Sequence, residues 1–377
     1  MNKITNKCIK EANIDSTSLS QKYDHYIALD WSKKNMAIAR MTEHSAKAKV
    51  TDVPSDLKEL KVYLKNLSGT KILAIEESTS TQWLYVELYD YVNKIFICDP
   101  YRNKLLSDGP KNDPIDARKL CLLLRNGLLK EVFHSTDKIF ELRKYVSAYN
   151  DIVKSGVRLK NQHSAFLARE GKDKKCKEKS SSQTTGFIMN VLEESIEQYE
   201  KNRKQYWELF GKLCRKEQAL KNLQTIPGVG NILAVQILAA VIDAKRFPKA
   251  GGYLAYCGLV KHMAVSGGRI YGKRNPRYNR TLKYAYKTAA SISIQSSGPI
   301  REYYDYLLGK GIAENNARNA VARYIAKASI GILKHNQPFN PYLWRAKKKQ
   351  IVLADAGSSG DQIKDNKKRK LKKMAIK

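Results

Sequence analysis

Short apolar runs that close on a carboxylate constrain this chain more than any other feature. "YIALD" ends at Asp30 and "ILAIE" at Glu76, and neither run is long enough to be a helix. Such runs read as buried strands. "NMAIARM" and "AKAKVTDV" follow the first at short spacing, which predicts three strands joined by tight turns. "PSDLKELKVYLKNL" instead sets Leu57, Leu60, Tyr63, Leu64 and Leu67 at helical spacing. "STQWLYVELYDYV" reads as a helix and "KIFICDP" as a further strand. A meander followed by alternating strands and helices predicts an α/β sheet with helices packed on it.

The pattern changes near Phe140. Strand signals fade, and "NVLEESIEQYEKNRKQYWELFGKLCRKEQALKNL" carries Leu192, Ile196, Tyr199, Tyr206, Leu209, Leu213 and Leu220 at roughly heptad spacing. This suits a helical hairpin or coiled coil, serving either as a spacer or as a dimerisation arm. The expected organisation is a loose tail over 1–22, an α/β domain over 23–137 and a helical connector over 138–223. A mostly helical domain over 224–345 and a basic, disordered tail over 346–377 complete it. "ILAVQILAAVI" is too short to span a bilayer and holds a Gln, so it reads as a buried helix. No signal peptide is expected, and no membrane partner.

Charge narrows the function. Lys and Arg number 69 against 36 Asp and Glu, a formal net charge of +33. So large an excess points to a polyanion, most often nucleic acid. The six cysteines form no Cys-x-x-Cys pair, which fits neither a zinc site nor a disulfide framework and suits a reducing cytosol.

The acids are the candidate chemistry. In "GPKNDPIDARKL", Asp113 before Pro114 fits a helix N-cap, and Asp116 an acid favoured by the helix dipole. Helix physics alone explains that pair. Asp30 and Glu76 change the reading, because acids at neighbouring strand ends project beyond the same sheet edge. A helix start bringing Asp113 and Asp116 there makes a four-carboxylate cluster, costly unless cations neutralise it. Oxygen ligands suit Mg²⁺ or Mn²⁺, which can clamp the attacking and leaving oxygens of a phosphodiester. Glu77 and Asp99 are rival acids, and Glu77 points to the opposite strand face from Glu76.

Basic and glycine-rich motifs supply candidate nucleic-acid contacts. Lys111 and Arg118 flank the acidic pair. "TIPGVGNILAVQIL" resembles a helix-hairpin-helix, with Gly228 and Gly230 able to bring amides to a phosphate; an ordinary interhelical turn is the alternative. In "KHMAVSGGRIYGKRNPRYNR", Ser266 precedes two glycines and is followed by Arg269, Lys273, Arg274, Arg277 and Arg280. A serine can attack phosphorus if arginines hold the phosphate, though serine beside glycines is also common in plain loops. His262, four residues before Ser266, reads as a structural or phosphate-contacting residue, with proton acceptor as the alternative. Tyr303, Tyr304 and Tyr306 read most simply as helix core and surface.

In order, "IALDWSKK", "AIEES", "CDPYRNKLLSDGPKNDPIDARKL", "TIPGVG", "RFPKAGGYLAYCGL", "VSGGRIYGKRN" and "NRTLKYAYKTAA" resemble the DEDD transposases of insertion-sequence family one-hundred-ten, the bridge-RNA-guided recombinases. The resemblance covers roughly 23–335. It implies an RNase-H-like N-terminal domain similar to Holliday-junction resolvases, a coiled-coil connector and a helical transposase domain. It places the four acids and their Mg²⁺ or Mn²⁺ on Asp30, Glu76, Asp113 and Asp116, and the DNA-linking nucleophile on Ser266. Donor and target DNA, a structured guide RNA and a second copy, as homodimer or homotetramer, are the implied partners. A prokaryotic, cytoplasmic, nucleoid-associated location is expected. "IEESTS" departs from the family's acid, small residue, Thr and Gly, which leaves Glu76 against Glu77 open. A metal-dependent nuclease or junction resolvase without a covalent step and a non-catalytic nucleic-acid binder are the alternatives.

Overall fold

The computed structural model describes residues 22–100, 112–171 and 182–341. Lys111, the N-terminal stretch, the basic loop between the long helices and the basic C-terminal tail lie outside the described residues. The chain divides into two compact units, Met1–Thr136 and Asp137–Lys377.

In the first unit, strands β1 (His25–Trp31), β2 (Asn35–Met41) and β3 (Lys49–Pro54) form the expected antiparallel meander. Strands β4 (Lys71–Glu76) and β5 (Lys94–Cys98) add in parallel on the other side of β1, giving the order β3-β2-β1-β4-β5. Helix α1 (Leu57–Asn66) starts at Asp56, whose carboxylate accepts from the amides of Lys58 and Glu59. Helix α2 (Thr81–Leu88) joins it on one sheet face, where Leu60, Leu64, Leu84 and Leu88 meet Ile27, Leu29, Leu73, Ile75, Ile95 and Ile97. Helix α3 (Asp113–Arg125) covers the opposite face.

The middle of that second face is built of small side chains, with Tyr26, Met41, Ile72 and Phe96 around it. Ala28, Ala37, Ala39 and Ala74 lie against Ala117, Leu120, Cys121 and Leu124 of α3. Each strand thus sends odd and even residues to different helical layers, the period of two that pleating imposes. The thiol of Cys121 donates to the carbonyl of Tyr26 at 3.2 Å, fixing the helix along β1.

The second unit has one large core. Antiparallel helices α4 (Leu142–Arg169) and α5 (Gln183–Lys216) contribute Leu142, Val146, Tyr149, Phe210 and Cys214 to it. The long pair is therefore rooted in the unit that follows. Helix α5 stops at Lys216 and α6 (Gln218–Gln224) begins directly after it, so Leu220 of the heptad series belongs to a separate helix. Helix α7 (Asn231–Val241) is the buried helix expected from its apolar run. The remaining elements are α8 (Ala250–Tyr256), a hairpin of β6 (His262–Ser266) and β7 (Arg269–Arg274), then α9 (Arg280–Ser293), α10 (Pro299–Gly309) and α11 (Glu314–His335). The hairpin was not expected from the sequence. Among the described residues no helix is long and apolar enough to cross a membrane.

At Gly228 the chain turns with φ +81°, and a Cβ there would sit 2.5 Å from both the carbonyl oxygen of Ala289 and Oγ of Ser293. Gly230 has open space around its Cα. Gly228→Ala is expected to cost about 3 kcal/mol through backbone strain and overpacking. Gly230→Ala should cost under about 1 kcal/mol. Chemical denaturation of the two variants separates them; equal losses would contradict the close crossing of α6–α7 and α9.

Candidate acidic active site

Strand parity decides which acids can meet. Asp30 pairs with Ala37 across β2, so it follows Ala28 onto the α3 face. Glu76 follows Ala74 onto the same face, and one step past the Leu29–Ile75 pair sets it beside Asp30. Both stand at the carboxyl ends of parallel strands, the edge where open α/β sheets hold ligands. Glu77 and Asp99 have the opposite parity. The Glu77 amide donates to the Cys98 carbonyl, and Asp99 is buried with its amide on the Lys130 carbonyl.

Helix α3 brings the other two acids. Its start differs from the expected one by a residue. Asn112 is the cap, in extended conformation, and its carbonyl accepts from the Asp116 amide; Asp113 is the first helical residue and Pro114 the second. Proline still falls where a missing amide costs nothing. Asp113 is exposed and Asp116 half-buried, both in the first turn.

Electrostatics tie the four together. Burial raises the Asp30 carboxyl to about 6, and the negative charges of Asp113, Glu76 and Asp116 push in the same direction. Such a field favours a hard cation. Oxygen-only donors fit Mg²⁺ or Mn²⁺ rather than a softer metal. As they stand, no three described His, Cys, Asp or Glu side chains are grouped closely enough to hold an ion. Binding therefore requires the acids to turn inward, and the exposed or half-buried positions of Glu76, Asp113 and Asp116 leave room for that.

Thr81 escaped the sequence reading. It is fully buried; its hydroxyl donates to the Glu76 carbonyl at 2.9 Å and accepts from the Ser78 amide at 2.7 Å. It knits the "EESTST" turn and fixes where β4 ends. The available signal was a hydroxyl placed to back-bond within a serine-rich turn.

The second unit carries the other candidates. Ser266 ends β6, and Gly267 and Gly268 form the two-residue turn with φ +53° and +74°. Positive φ at both positions is the mirror-image turn that matches strand twist. Ser266 is thus a strand end facing Arg269 directly across the ladder, rather than part of an open loop. The hairpin stands in solvent: Met263, Val265, Ile270 and Tyr271 are 54–65% exposed. Lys273 and Arg274 are exposed on β7, Arg277 follows them, and Arg280 opens α9. His262 lies four strand residues from Ser266, about 13 Å away by strand rise, too far to accept its proton directly. Arg118 is exposed on α3, and Gly230 sits at the N-cap of α7. The described cysteines are buried, and burial pushes the Cys121 and Cys257 thiols up to about 12, which keeps them out of nucleophilic chemistry.

A raised folded-state carboxyl means folding takes up a proton between the unfolded value of 3.8 and about 6. The associated penalty is absent below that window, grows as pH rises through it, and is complete above it. Asp30→Asn is expected to raise the thermal midpoint of the metal-free protein at pH 8 and leave it unchanged near pH 3.5. Millimolar Mn²⁺ should stabilise the wild type at pH 8 but not the variant. Calorimetry checks both; a lower midpoint for Asp30→Asn at pH 8 would contradict the cluster.

Comparison with known proteins finds likeness in both units. A model of the DEDD transposase of IS110 matches residues 27–170. A second, described as "Transposase IS116/IS110/IS902 family", matches residues 220–305. The 44.8 kDa protein of insertion element IS116 from Streptomyces clavuligerus is 27% identical over 128 residues, 34% of this chain and 32% of that protein. The 43.6 kDa protein of insertion element IS110 from Streptomyces coelicolor is 32% identical over 113 residues, 30% of this chain and 28% of that protein. The matched stretches thus span about a third of each relative's length. With an RNase-H-like N-terminal unit and a mostly helical remainder, this chain is similar over residues 27–170 and 220–305 to the DEDD transposases of the IS110/IS116 family.

Proposed function

We propose that the protein cuts and rejoins DNA through a covalent phosphoserine intermediate. The observation that carries this reading is the gathering of Asp30, Glu76, Asp113 and Asp116 at one sheet edge of a strongly basic chain. Asp30, Glu76, Asp113 and Asp116 are the residues that would hold Mg²⁺ or Mn²⁺. The bound ion supplies electrophilic stabilisation of charge developing on phosphate oxygens. Ser266 supplies the nucleophile. Its Oγ forms a bond to phosphorus while the bond to a sugar oxygen breaks. The serine proton leaves to a base, and the departing sugar oxygen gains a proton to become a hydroxyl. Attack on the phosphoserine by a sugar hydroxyl of another strand restores Ser266 and conserves the phosphodiester. Arg269 is the residue that would hold the phosphate, a reading supported by its pairing with Ser266 across the ladder. Lys273, Arg274, Arg277, Arg280 and Gly230 supply backbone contacts that fix register without reading sequence.

Sequence reading is assigned to a structured guide RNA, in keeping with the resemblance and with side chains that contact mainly phosphate and shape. Self-association as homodimer or homotetramer is assigned to the α4–α5 arm, where Val157, Phe187 and Val191 are exposed. Purified under native conditions, the protein should scatter light with at least twice the monomer mass. It should carry an RNA whose sequence matches the flanks of its own gene; a bare monomer would contradict both assignments.

Asp30→Ala and Ser266→Ala are each expected to lower recombination at least about a thousandfold, in line with losses of a catalytic group. Only Ser266→Ala must also eliminate any protein–DNA adduct resistant to denaturant. Strand cleavage surviving in Ser266→Ala would instead favour attack by water at the acidic site. Binding that survives loss of all four acids, with no cleavage by the wild type in any metal, would mark a non-catalytic binder.

A further inference from the structure

The second unit holds a cavity that neither the acidic edge nor the serine hairpin uses. It lies between α10, α11 and the segment after α11, and measures about 960 Å³. That is at the upper end of small-molecule sites, which run from about 300 to 1,000 Å³, and ample for one nucleotide. Its walls are aromatic. The rings of Tyr303 and Tyr324 lie 5.2 Å apart at 44°, and Phe339 meets Tyr324 edge-on at 6.2 Å. One face of α11 lines it with Ala320, Arg323, Tyr324, Lys327, Ala328 and Gly331, positions three or four apart that share a helix face. The small residues keep the floor open: a Cβ on Gly331 would meet nothing within 4 Å.

Charge separates this cavity from an ordinary apolar groove. Lys310, Arg323 and Lys327 line it together with the aromatics, and among the described residues no Asp or Glu does. Lys310 places its ammonium 5.0 Å over the Tyr306 ring. Burial holds the Tyr324 phenol up at about 12, so the ring stays neutral at every physiological pH and adds no negative charge. Aromatic faces beside cations, without carboxylates, match a ligand with a flat π-surface and an attached anion. An unpaired nucleotide has both: the base stacks on the rings and the phosphate meets the basic rim. An apolar protein segment would use only the rings and leave the three cations unmatched.

We infer that this cavity takes an unpaired nucleotide of single-stranded DNA, with the base stacked against the aromatic wall of Tyr303, Tyr324 and Phe339 and the phosphate on Arg323 and Lys327. The choice of DNA rests on the reading under Proposed function, since cutting and exchanging strands leaves bases transiently unpaired. Duplex DNA cannot enter, because its bases are stacked and paired. The cavity would therefore hold a displaced strand out of the way of re-pairing.

The test uses the full chain and an oligothymidylate of about 20 nucleotides carrying 5-iododeoxyuridine. Irradiation is expected to cross-link it to Tyr303, Tyr324 or Phe339, read by mass spectrometry. The Arg323→Ala, Lys327→Ala double variant should bind the oligomer about tenfold more weakly, while affinity for a duplex of the same length changes less than about twofold. Lys327 is exposed, so Lys327→Glu alone serves as a variant whose fold is safe, and it should show the same selective loss. Equal weakening of single strand and duplex would reduce the cavity to general basic charge and overturn the inference. So would cross-links that map only elsewhere, a preference for the matching oligoribonucleotide at these residues, or a change of oligomeric mass in the variants. None of these readouts needs strand cleavage. Loss of the cross-link with Ser266-dependent cleavage intact defeats the cavity alone, whereas absent cleavage with the cross-link intact defeats only the covalent mechanism.

Discussion

The acidic edge depends on how closely α3 can approach the sheet. Ala28, Ala37, Ala39 and Ala74 are all fully buried and present almost nothing beyond the strand backbones. Larger side chains there would lift the helix and carry its first turn away from the strand ends. With the helix down, Leu120 and Leu124 bury their side chains, each contributing on the order of 2 kcal/mol of apolar burial. That gain is what holds like charges together. The carboxylates of Asp113, Glu76 and Asp116 each oppose ionisation of Asp30, and none of them would settle near it if its position were set by charge alone.

A different balance operates in the second unit. Its core runs from the roots of α4 and α5 to α11 and includes polar groups that satisfy one another. The hydroxyls of Tyr253 and Tyr286 are hydrogen-bonded, and Tyr286 reaches Oγ of Ser329 at 2.6 Å. Burial pushes the Tyr286 phenol well above its ordinary value, so this chain of hydroxyls is neutral and structural. Gly228 admits the α6–α7 turn against α9 at a distance no side chain permits. Against this packed body the β6–β7 hairpin is an exposed ribbon, exposed on both faces. Two strands alone are marginal in water, so such a ribbon gains its ordered environment from whatever lies on it. Functional side chains on a projecting element held by a rigid body are a common arrangement.

Much of this was legible in the residues. Strand runs ending at Asp30 and Glu76 could be read because buried strands are compositionally distinct and short. Parity alone said that only one of Glu76 and Glu77 faces the site, since pleating alternates side chains whatever the tertiary context, and the register of β4 beside β1 picks Glu76. The cap of α3 was misplaced by one residue, because Asn112 and Asp113 both satisfy capping chemistry and only the backbone angles separate them. The hairpin at Ser266 is less legible. Its Gly-Gly signal was present, but exposed strands lack the apolar alternation that usually announces them. The tyrosine-lined cavity was invisible for another reason: Tyr303 and Tyr324 look like ordinary helix residues until two helices are set side by side.

By itself the sequence determined the local chemistry: which segments are strands, where carboxylates end them, which turn carries a serine between glycines and arginines. These follow from interactions between near neighbours in the chain. Only the tertiary structure decided that Asp113 and Asp116 come to the edge marked by Asp30 and Glu76, and that aromatic and cationic residues of α10 and α11 face a shared space. Those juxtapositions come from packing between segments distant in sequence. They depend on side-chain volume, here four alanines at the centre of a sheet face, and volume leaves no periodic trace of the partner it admits.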